Sequence, residues 1–265
     1  MASVVHDLHM KVKFSPRLLR PGRELDAMTN ATSQAARERK YGIDNVDHLS
    51  PAIGYLRISG FLPRSLVTER YASAMDRPSD TDALIIDVRD NHGGAPESVA
   101  PLISYFVDRP TRLNDIWSRD SGRTTQTWTE GKLDGRRYGG TKPVVILTGP
   151  RTASAGEDFA YTMQALKRAT VIGERTWGGA HPMALYRLGD HVFAAIPHSR
   201  TISAITHTNW EGSGITPDVA APSSNALVVT KDMLQRQLDA ALPLHIDRNP
   251  ATALSAQRRY HITGR

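Results

Sequence analysis

The chain has 265 residues, of which 40% are hydrophobic and 23% charged, a globular balance that argues against disorder along the whole chain. It contains no cysteine, which excludes disulfides, thiolate metal sites and a cysteine nucleophile. The net charge is +6 without a concentrated basic stripe, so no nucleic-acid partner is expected. No run approaches the length of a membrane-spanning helix, so no transmembrane segment is predicted, and no signal peptide is visible at the start.

The predicted elements begin with a polar stretch over residues 15–47, which is typical of a linker or flap with a short helix over 34–40. The pattern changes at about residue 53. A strand is predicted over 54–58, and a helix over 64–75 from apolar residues near helical spacing.

Two similar strand–turn–helix units follow. The runs 83–88 and 143–148 are almost continuously apolar, which is typical of strands buried on both faces. Helices are predicted after them, over 97–107 and 154–167, and the second leads into another strand, so the order predicts an α/β fold with a mostly parallel sheet. The remaining predictions are strands or a surface excursion over 110–140, a strand over 192–196 and a terminal helix over 226–242.

Ser154 lies where the second buried strand gives way to a helix. Open α/β sheets bind ligands at this edge, and the helix start supplies free N–H groups and a positive dipole end that suit an oxyanion. The alternative interpretation is that Ser154 is only the helix N-cap, because Glu157 three residues on completes a capping box. Spacing alone favours the cap.

Gly93 and Gly94 follow the first buried strand and allow the backbone to approach a ligand closely. Their N–H groups are candidate oxyanion donors, and an ordinary strand-to-helix turn is the alternative interpretation. A phosphate-binding loop is excluded, because no Lys-Ser/Thr follows the glycines and no G-x-G-x-x-G occurs.

A serine nucleophile needs a base, and local spacing does not choose among the ten histidines. His6 and His9 flank Asp7, which also suits metal ligation, but no H-E-x-x-H motif and no second ligand cluster follow. We therefore expect no metal and no other cofactor.

Three motifs occur in order along the chain: D-x-R-x-N-x-G-G over 87–94, T-A-S-A-x-E over 152–157 and V-I-G-E-x-T-x-G-G over 171–179. Together they resemble the C-terminal processing (tail-specific) serine proteases. Residues 178–182 and 210–218 are similar to the branch that contains interphotoreceptor retinoid-binding protein, with the tricorn protease core a more distant relative. The resemblance implies a ClpP/crotonase-like fold of repeated β-β-α units with a mostly parallel sheet, and no PDZ domain is evident.

Family members with a Ser-Lys dyad carry the lysine at the position occupied here by Gly179, so a lysine base is not expected. The tricorn-like branch implies instead a histidine in a D-x-H motif, which residues 7–9 resemble, and a glutamate where Glu211 lies. A helper hydroxyl before the histidine has no match. The resemblance therefore implies a catalytic triad of Ser154, His9 and Glu211.

The resemblance also implies supporting roles around the triad. The Ala155 N–H and an N–H of Gly93 or Gly94 would form the oxyanion hole. His181 would line the substrate pocket, and a satisfied loop histidine is the alternative.

The function expected is a serine endopeptidase of the C-terminal processing type, with a polypeptide as its partner. The alternatives are a non-catalytic carrier of hydrophobic ligands, retinoid-like or fatty-acid-like, on the same fold, and a catalytically inactive remnant. Ser154 favours the peptidase, because the resemblance implies that the carriers lack this serine. Oligomeric state and localisation are left open, and relatives are often exported.

Three regions are expected along the chain. Residues 1–50 are interpreted as an N-terminal segment and linker, either a short form or the remnant of a larger helical domain. Residues 51–242 form the protease-like core, and residues 243–265 form a basic tail.

Overall fold

The computed structural model describes residues 7–19 and 33–241. The sequence predictions for His6 and for the basic tail lie outside the described residues. The elements in chain order are β1 (Lys11–Phe14), α1 (Ser33–Glu38), β2 (Ile43–Ser50), β3 (Ile53–Ile58), α2 (Arg64–Asp76), β4 (Ala83–Asp87), α3 (Val99–Ile103), β5 (Arg112–Ser118), β6 (Thr124–Trp128), β7 (Val144–Thr148), α4 (Ala155–Ala165), β8 (Thr170–Gly173), β9 (Met183–Arg187), β10 (Val192–Pro197), β11 (Ser199–Ser203), β12 (Val219–Ala220) and α5 (Ala226–Ala241).

The central sheet has six strands in the order β12–β8–β7–β4–β3–β2. All neighbours are parallel except the edge pair β2 and β3, which is antiparallel. The predicted α/β class with a mostly parallel sheet is therefore confirmed. Helical connections between parallel strands leave the turns after β4 and β7 on the same edge of the sheet.

Side chains alternate between the two faces of the central sheet along its strands. An apolar cluster covers each face. Leu84 and Ile86 of β4 pack in one apolar cluster with α2, α3 and α4. Ala83 and Ile85 point the other way, into a second cluster that α5 covers. This explains why β4 is a nearly continuous apolar run rather than an alternating one.

Strand β2 lies largely within the predicted linker over 15–47, so the sheet begins ahead of residue 51. Its composition is polar because it is an edge strand with one partner and little burial. The stretch predicted as strands or an excursion contains the antiparallel hairpin β5–β6, and β11 pairs with β5. The helix predicted over 97–107 is a short α3 flanked by two 3₁₀ turns.

A small sheet of order β1–β10–β9 attaches the N-terminal segment to the rest of the protein. β1 pairs antiparallel with β10 over four residues, and the Ser15 N–H donates to the His191 carbonyl oxygen (2.8 Å) just beyond it. The pairing holds residues 7–10 near the loop that precedes β9. Among the helices in the described ranges, none combines the length and apolar character that a membrane span requires.

Candidate active site

The turns that follow β4 and β7 meet at one edge of the central sheet, where the Ala153 N–H donates to the Asn91 carbonyl oxygen (2.9 Å). Ser154 ends the second turn with φ +53° and ψ −119° and directly precedes α4. Such a conformation is uncommon for a non-glycine residue and costs roughly 1–3 kcal/mol. A strained strand-to-helix turn is one way in which a fold presents a serine hydroxyl at a sheet edge.

Gly93 packs directly against this serine. A Cβ atom added to Gly93, which has φ +87°, would lie 2.7 Å from the Ser154 Cβ and 3.0 Å from the Ala155 nitrogen. Only glycine fits there, so the turn after β4 approaches Ser154 as closely as a backbone can.

The two glycines differ in what their N–H groups do. The Gly93 N–H donates to the Asn91 Oδ1 (2.8 Å) and is therefore used within the turn. The N–H groups of Gly94 and Ala155 have no hydrogen-bond acceptor among the described residues, and both residues line the cleft beside Ser154. Of the predicted donors, these two are available to a bound oxygen.

Glu157 ties the Ser154 turn to the loop that follows β8. Its carboxylate is fully buried and accepts hydrogen bonds from the N–H groups of Ser154 (2.9 Å), Gly178 (2.6 Å) and Gly179 (2.9 Å) and from the Thr176 hydroxyl (2.5 Å). The expected capping interaction with Ser154 is thus one of four contacts. This carboxylate explains why a glutamate and a T-x-G-G segment occur together in the motifs.

His9 lies against the same loop. A Cβ atom at Gly179 would lie 2.6 Å from the His9 Cε1, and the ring makes an edge contact with Trp177 at 5.1 Å between centroids. The His9 Nδ1 is buried and has no hydrogen-bond partner among the described residues. The imidazole therefore occupies the space that a longer side chain at position 179 would need.

The environment of His9 acts on its pKa in opposing ways. Burial is the largest influence and lowers the pKa below the ordinary histidine value, while the negative charges of Glu211 and Asp7 raise it. The net pKa is lowered, so the imidazole is neutral at pH 7 and able to accept a proton.

Two carboxylates, those of Asp7 and Glu211, accept hydrogen bonds from backbone N–H groups at and around His9. Asp7 accepts the His9 backbone N–H at Oδ1 (2.9 Å) and contacts the His181 Nδ1 at Oδ2 (2.6 Å). Glu211 accepts the N–H groups of Leu8 (3.1 Å) and Ala180 (2.6 Å). No direct hydrogen bond joins the His9 ring to Glu211 in the described part of the chain, so Glu211 acts on the ring through its charge.

Asp7, His9 and Glu211 are the one group of described residues whose ligand atoms lie close enough together to hold a metal ion, within 4.8 Å of one another. Both carboxylates already accept backbone N–H groups. These hydrogen bonds are typical of carboxylates that support a histidine, and we assign no metal to the group.

A cleft of about 720 Å³ opens beside this cluster. The predicted residues that line it are Ser154, Ala155, Gly94, His9 and His181, whereas Gly93 and Glu211 are not part of its lining. The structure thus brings the predicted residues together around one cavity, although they come from distant parts of the chain.

The sequence does not predict the contacts that three acidic residues make near the cleft. Asp7 lies inside the D-x-H motif and Glu157 inside the serine motif, so the motifs themselves were the available signal. Asp158 also lines the cleft and is buried, but its position after Glu157 gave no local indication of this.

The sequence model of a protein family, described as Peptidase family S41, matches residues 52–221 of the chain. A carboxyl-terminal-processing peptidase 2, chloroplastic, from Arabidopsis thaliana is 28% identical over 184 residues, covering 66% of this chain and 33% of the relative. The chain thus spans about a third of the length of that curated relative.

Solved structures agree on the fold. A photosystem II D1 C-terminal processing protease superposes with a TM-score of 0.53 at 24% identity, over 68% of this chain and 47% of the other. A putative peptidase from Parabacteroides merdae gives a TM-score of 0.57 at 20% identity, over 74% of this chain and 68% of the other. With a family model that matches well over half of its length, this chain belongs to peptidase family S41.

Proposed function

We propose that this chain is a serine peptidase in which Ser154 is the nucleophile, His9 the general base and Glu211 the carboxylate that stabilises the charged histidine. The observation that carries the proposal is the shared cleft. It contains a serine on a strained turn, a half-buried histidine whose pKa is lowered, and two N–H groups without acceptors, those of Gly94 and Ala155.

The chemical step follows from these groups. His9 takes the proton from the Ser154 hydroxyl as Oγ bonds to the carbonyl carbon of the peptide. The Gly94 and Ala155 N–H groups stabilise the resulting oxyanion, and Glu211 stabilises the imidazolium. His9 then gives its proton to the leaving amine, and water hydrolyses the acyl-enzyme by the same route in reverse.

The substrate class proposed is a polypeptide cleaved near its carboxyl terminus. This extends to the present chain what the names of its relatives say of carboxyl-terminal processing. The cleft is large enough for several side chains and open to solvent, which suits an extended peptide.

The test combines covalent labelling with hydrolysis. A fluorophosphonate probe should label the wild-type protein at Ser154, identified by peptide mass spectrometry, and Ser154→Ala should abolish both labelling and peptide hydrolysis. Ser73→Ala, at an exposed position of α2, is the matched control and should retain both.

The thermal midpoint separates catalysis from folding. Ser154→Ala should leave the thermal midpoint little changed, whereas the loss of a serine that is only a helix cap would lower the stability by about 1 kcal/mol. A well-folded Ser154→Ala protein with full activity would overturn the peptidase mechanism. An unlabelled wild-type protein that binds retinoids or fatty acids would favour the carrier function instead.

A further inference from the structure

Asp158 is a buried carboxylate in the wall of the cleft. It lies in the first turn of α4, four residues after Ser154, and both residues line the cleft. Its side chain lines the cleft, although the residue is only 8% exposed.

The hydrogen bonds of Asp158 involve only one of its two oxygens. Oδ1 accepts from the Asn114 amide (2.6 Å) and the Thr162 hydroxyl (3.1 Å). Oδ2 has neither a hydrogen-bond donor nor a cation beside it within the described ranges. The desolvation of the carboxyl raises the pKa of Asp158 to about 6, so the group is mostly ionised at pH 7.

A largely buried carboxylate that has hydrogen bonds but no cation beside it is stabilised when a ligand supplies the positive charge. The other charged groups of the cleft do not supply it. Glu97 is exposed and acidic, and the Arg64 guanidinium pairs with Glu130 at 2.7 Å. Apart from histidines, the cleft therefore has an excess of negative charge, in a chain whose formal net charge is +6.

Apolar side chains form part of the lining of the cleft that contains Asp158. Leu113, Ile116 and Val99 line the same cleft, together with Trp210. Lysine and arginine bury an aliphatic stem along such surfaces and present their charge at the end. An apolar wall with a carboxylate behind it is complementary to these two side chains.

We propose that Asp158 makes this cleft select polypeptides with lysine or arginine at the residue that supplies the scissile carbonyl group. This inference rests on the proposed function, because Ser154 sets where the scissile carbonyl lies. The side chain of that substrate residue starts beside Ser154, and Asp158 lies one helical turn away, within reach of a four-carbon stem.

Binding and turnover are measured on peptides that differ only at this residue, which is lysine, arginine or norleucine. Norleucine has the stem of lysine without its charge. Affinity is measured by calorimetry with Ser154→Ala protein, and kcat/KM with the wild-type protein. The lysine peptide should bind about tenfold or more tightly than the norleucine peptide, since a charge-assisted contact stabilises by at least about 1.4 kcal/mol.

Asp158→Asn, introduced into both proteins, should remove most of this preference. Asp232→Asn, an exposed position on α5, makes the same change in net charge and should leave the preference unchanged. A merely structural Asp158 would lower the thermal midpoint in Asp158→Asn without altering the lysine-to-norleucine ratio.

Equal affinities for the lysine and norleucine peptides would overturn the inference, as would a preference that persists in Asp158→Asn. The preference in binding, lost in Asp158→Asn, would support it. A wild-type protein that shows this binding preference but neither hydrolyses peptides nor reacts with a fluorophosphonate would count against the proposed peptidase function alone.

Discussion

His9 is half-buried beside two carboxylates, and the pH dependence of its protonation follows from that position. Burial lowers the pKa of His9 more than Glu211 and Asp7 raise it, while His181 and Lys11 lower it further. Activity that needs a neutral His9 is present above this pKa and lost as the pH falls through it. The acid limb of kcat/KM should therefore lie below pH 6.5, the usual histidine value.

Glu211→Gln should move that acid limb to lower pH. The substitution removes the first of the two charges that raise the pKa of His9, so the histidine stays neutral in more acidic solution. The maximal rate should fall roughly 10²- to 10⁴-fold, because the imidazolium formed in the reaction loses its stabilising charge. The measurement is kcat/KM against pH.

His181→Gln should shift the acid limb of kcat/KM in the opposite direction from Glu211→Gln. The charge of His181 lowers the pKa of His9, so removing it should move the acid limb to higher pH. If neither substitution moved the limb, the titrating group would not be His9.

At the scale of elements, Glu157 connects α4 to the loop after β8. Four donors converge on its carboxylate, three of them backbone N–H groups that cannot turn away. The loop contains Gly178 and Gly179, and Gly179 contacts the His9 ring. Glu157 therefore links the turn that contains Ser154 to the loop that contacts His9.

Glu157→Gln should destabilise the protein by roughly 2–4 kcal/mol, because an amide group would place its own N–H donors against N–H donors. The thermal midpoint and the free energy of unfolding in urea measure this. Peptide hydrolysis should also fall, since the loop that contacts His9 loses its anchor. Glu69→Gln, at an exposed position of α2, is the matched control and should change neither quantity.

Elements with a strong local pattern could be predicted from the sequence, and elements whose pattern depends on tertiary context could not. β4 and β7 are apolar along their length because both faces are covered. The sequence predicts a linker where β2 lies, because an exposed edge strand needs no apolar pattern. The edge of the sheet where Ser154 and the two glycines lie followed from strand order alone.

The other residues of the candidate site are brought together by contacts between distant parts of the chain, and no local sequence pattern predicts such contacts. Asp7 pairs with His181 over 174 positions, and Leu8 with Glu211 over 203. Local spacing does not encode such contacts, so His9 could be selected among ten histidines only by resemblance to a D-x-H motif. Asp158 was missed because its burial depends on Asn114, on a hairpin 44 residues away.

At the scale of the whole molecule, the N-terminal segment supplies the candidate base His9 but little of the core. None of residues 7–14 belongs to the two apolar clusters, and all four positions of β1 are exposed. The apolar clusters instead involve elements that follow residue 33.

Deleting residues 1–14 should therefore remove catalysis and leave the core folded. The rate should fall by several powers of ten, because serine is a weak nucleophile without its base. Far-UV circular dichroism, the thermal midpoint and the peptidase rate are measured on the truncated chain, with His9→Ala in the full chain as the matched control.

The two outcomes that contradict this prediction are distinct. A folded truncation with a near-native rate would show that the base is another histidine, with His181 the next candidate. A truncation that does not fold would show that β1 contributes to the stability of the core.

β1 is attached to its three-stranded sheet by four residue pairs, so we expect the proposed active arrangement to depend on an equilibrium between docked and undocked states of β1. Opening such a peripheral strand requires less free energy than global unfolding. On heating, hydrolysis should therefore decline reversibly at temperatures where circular dichroism still reports a native core, and amide hydrogens of β1 should exchange faster than those of β4. The fraction of molecules with the strand docked, and not the fraction folded, should then set the temperature range over which the proposed hydrolysis occurs.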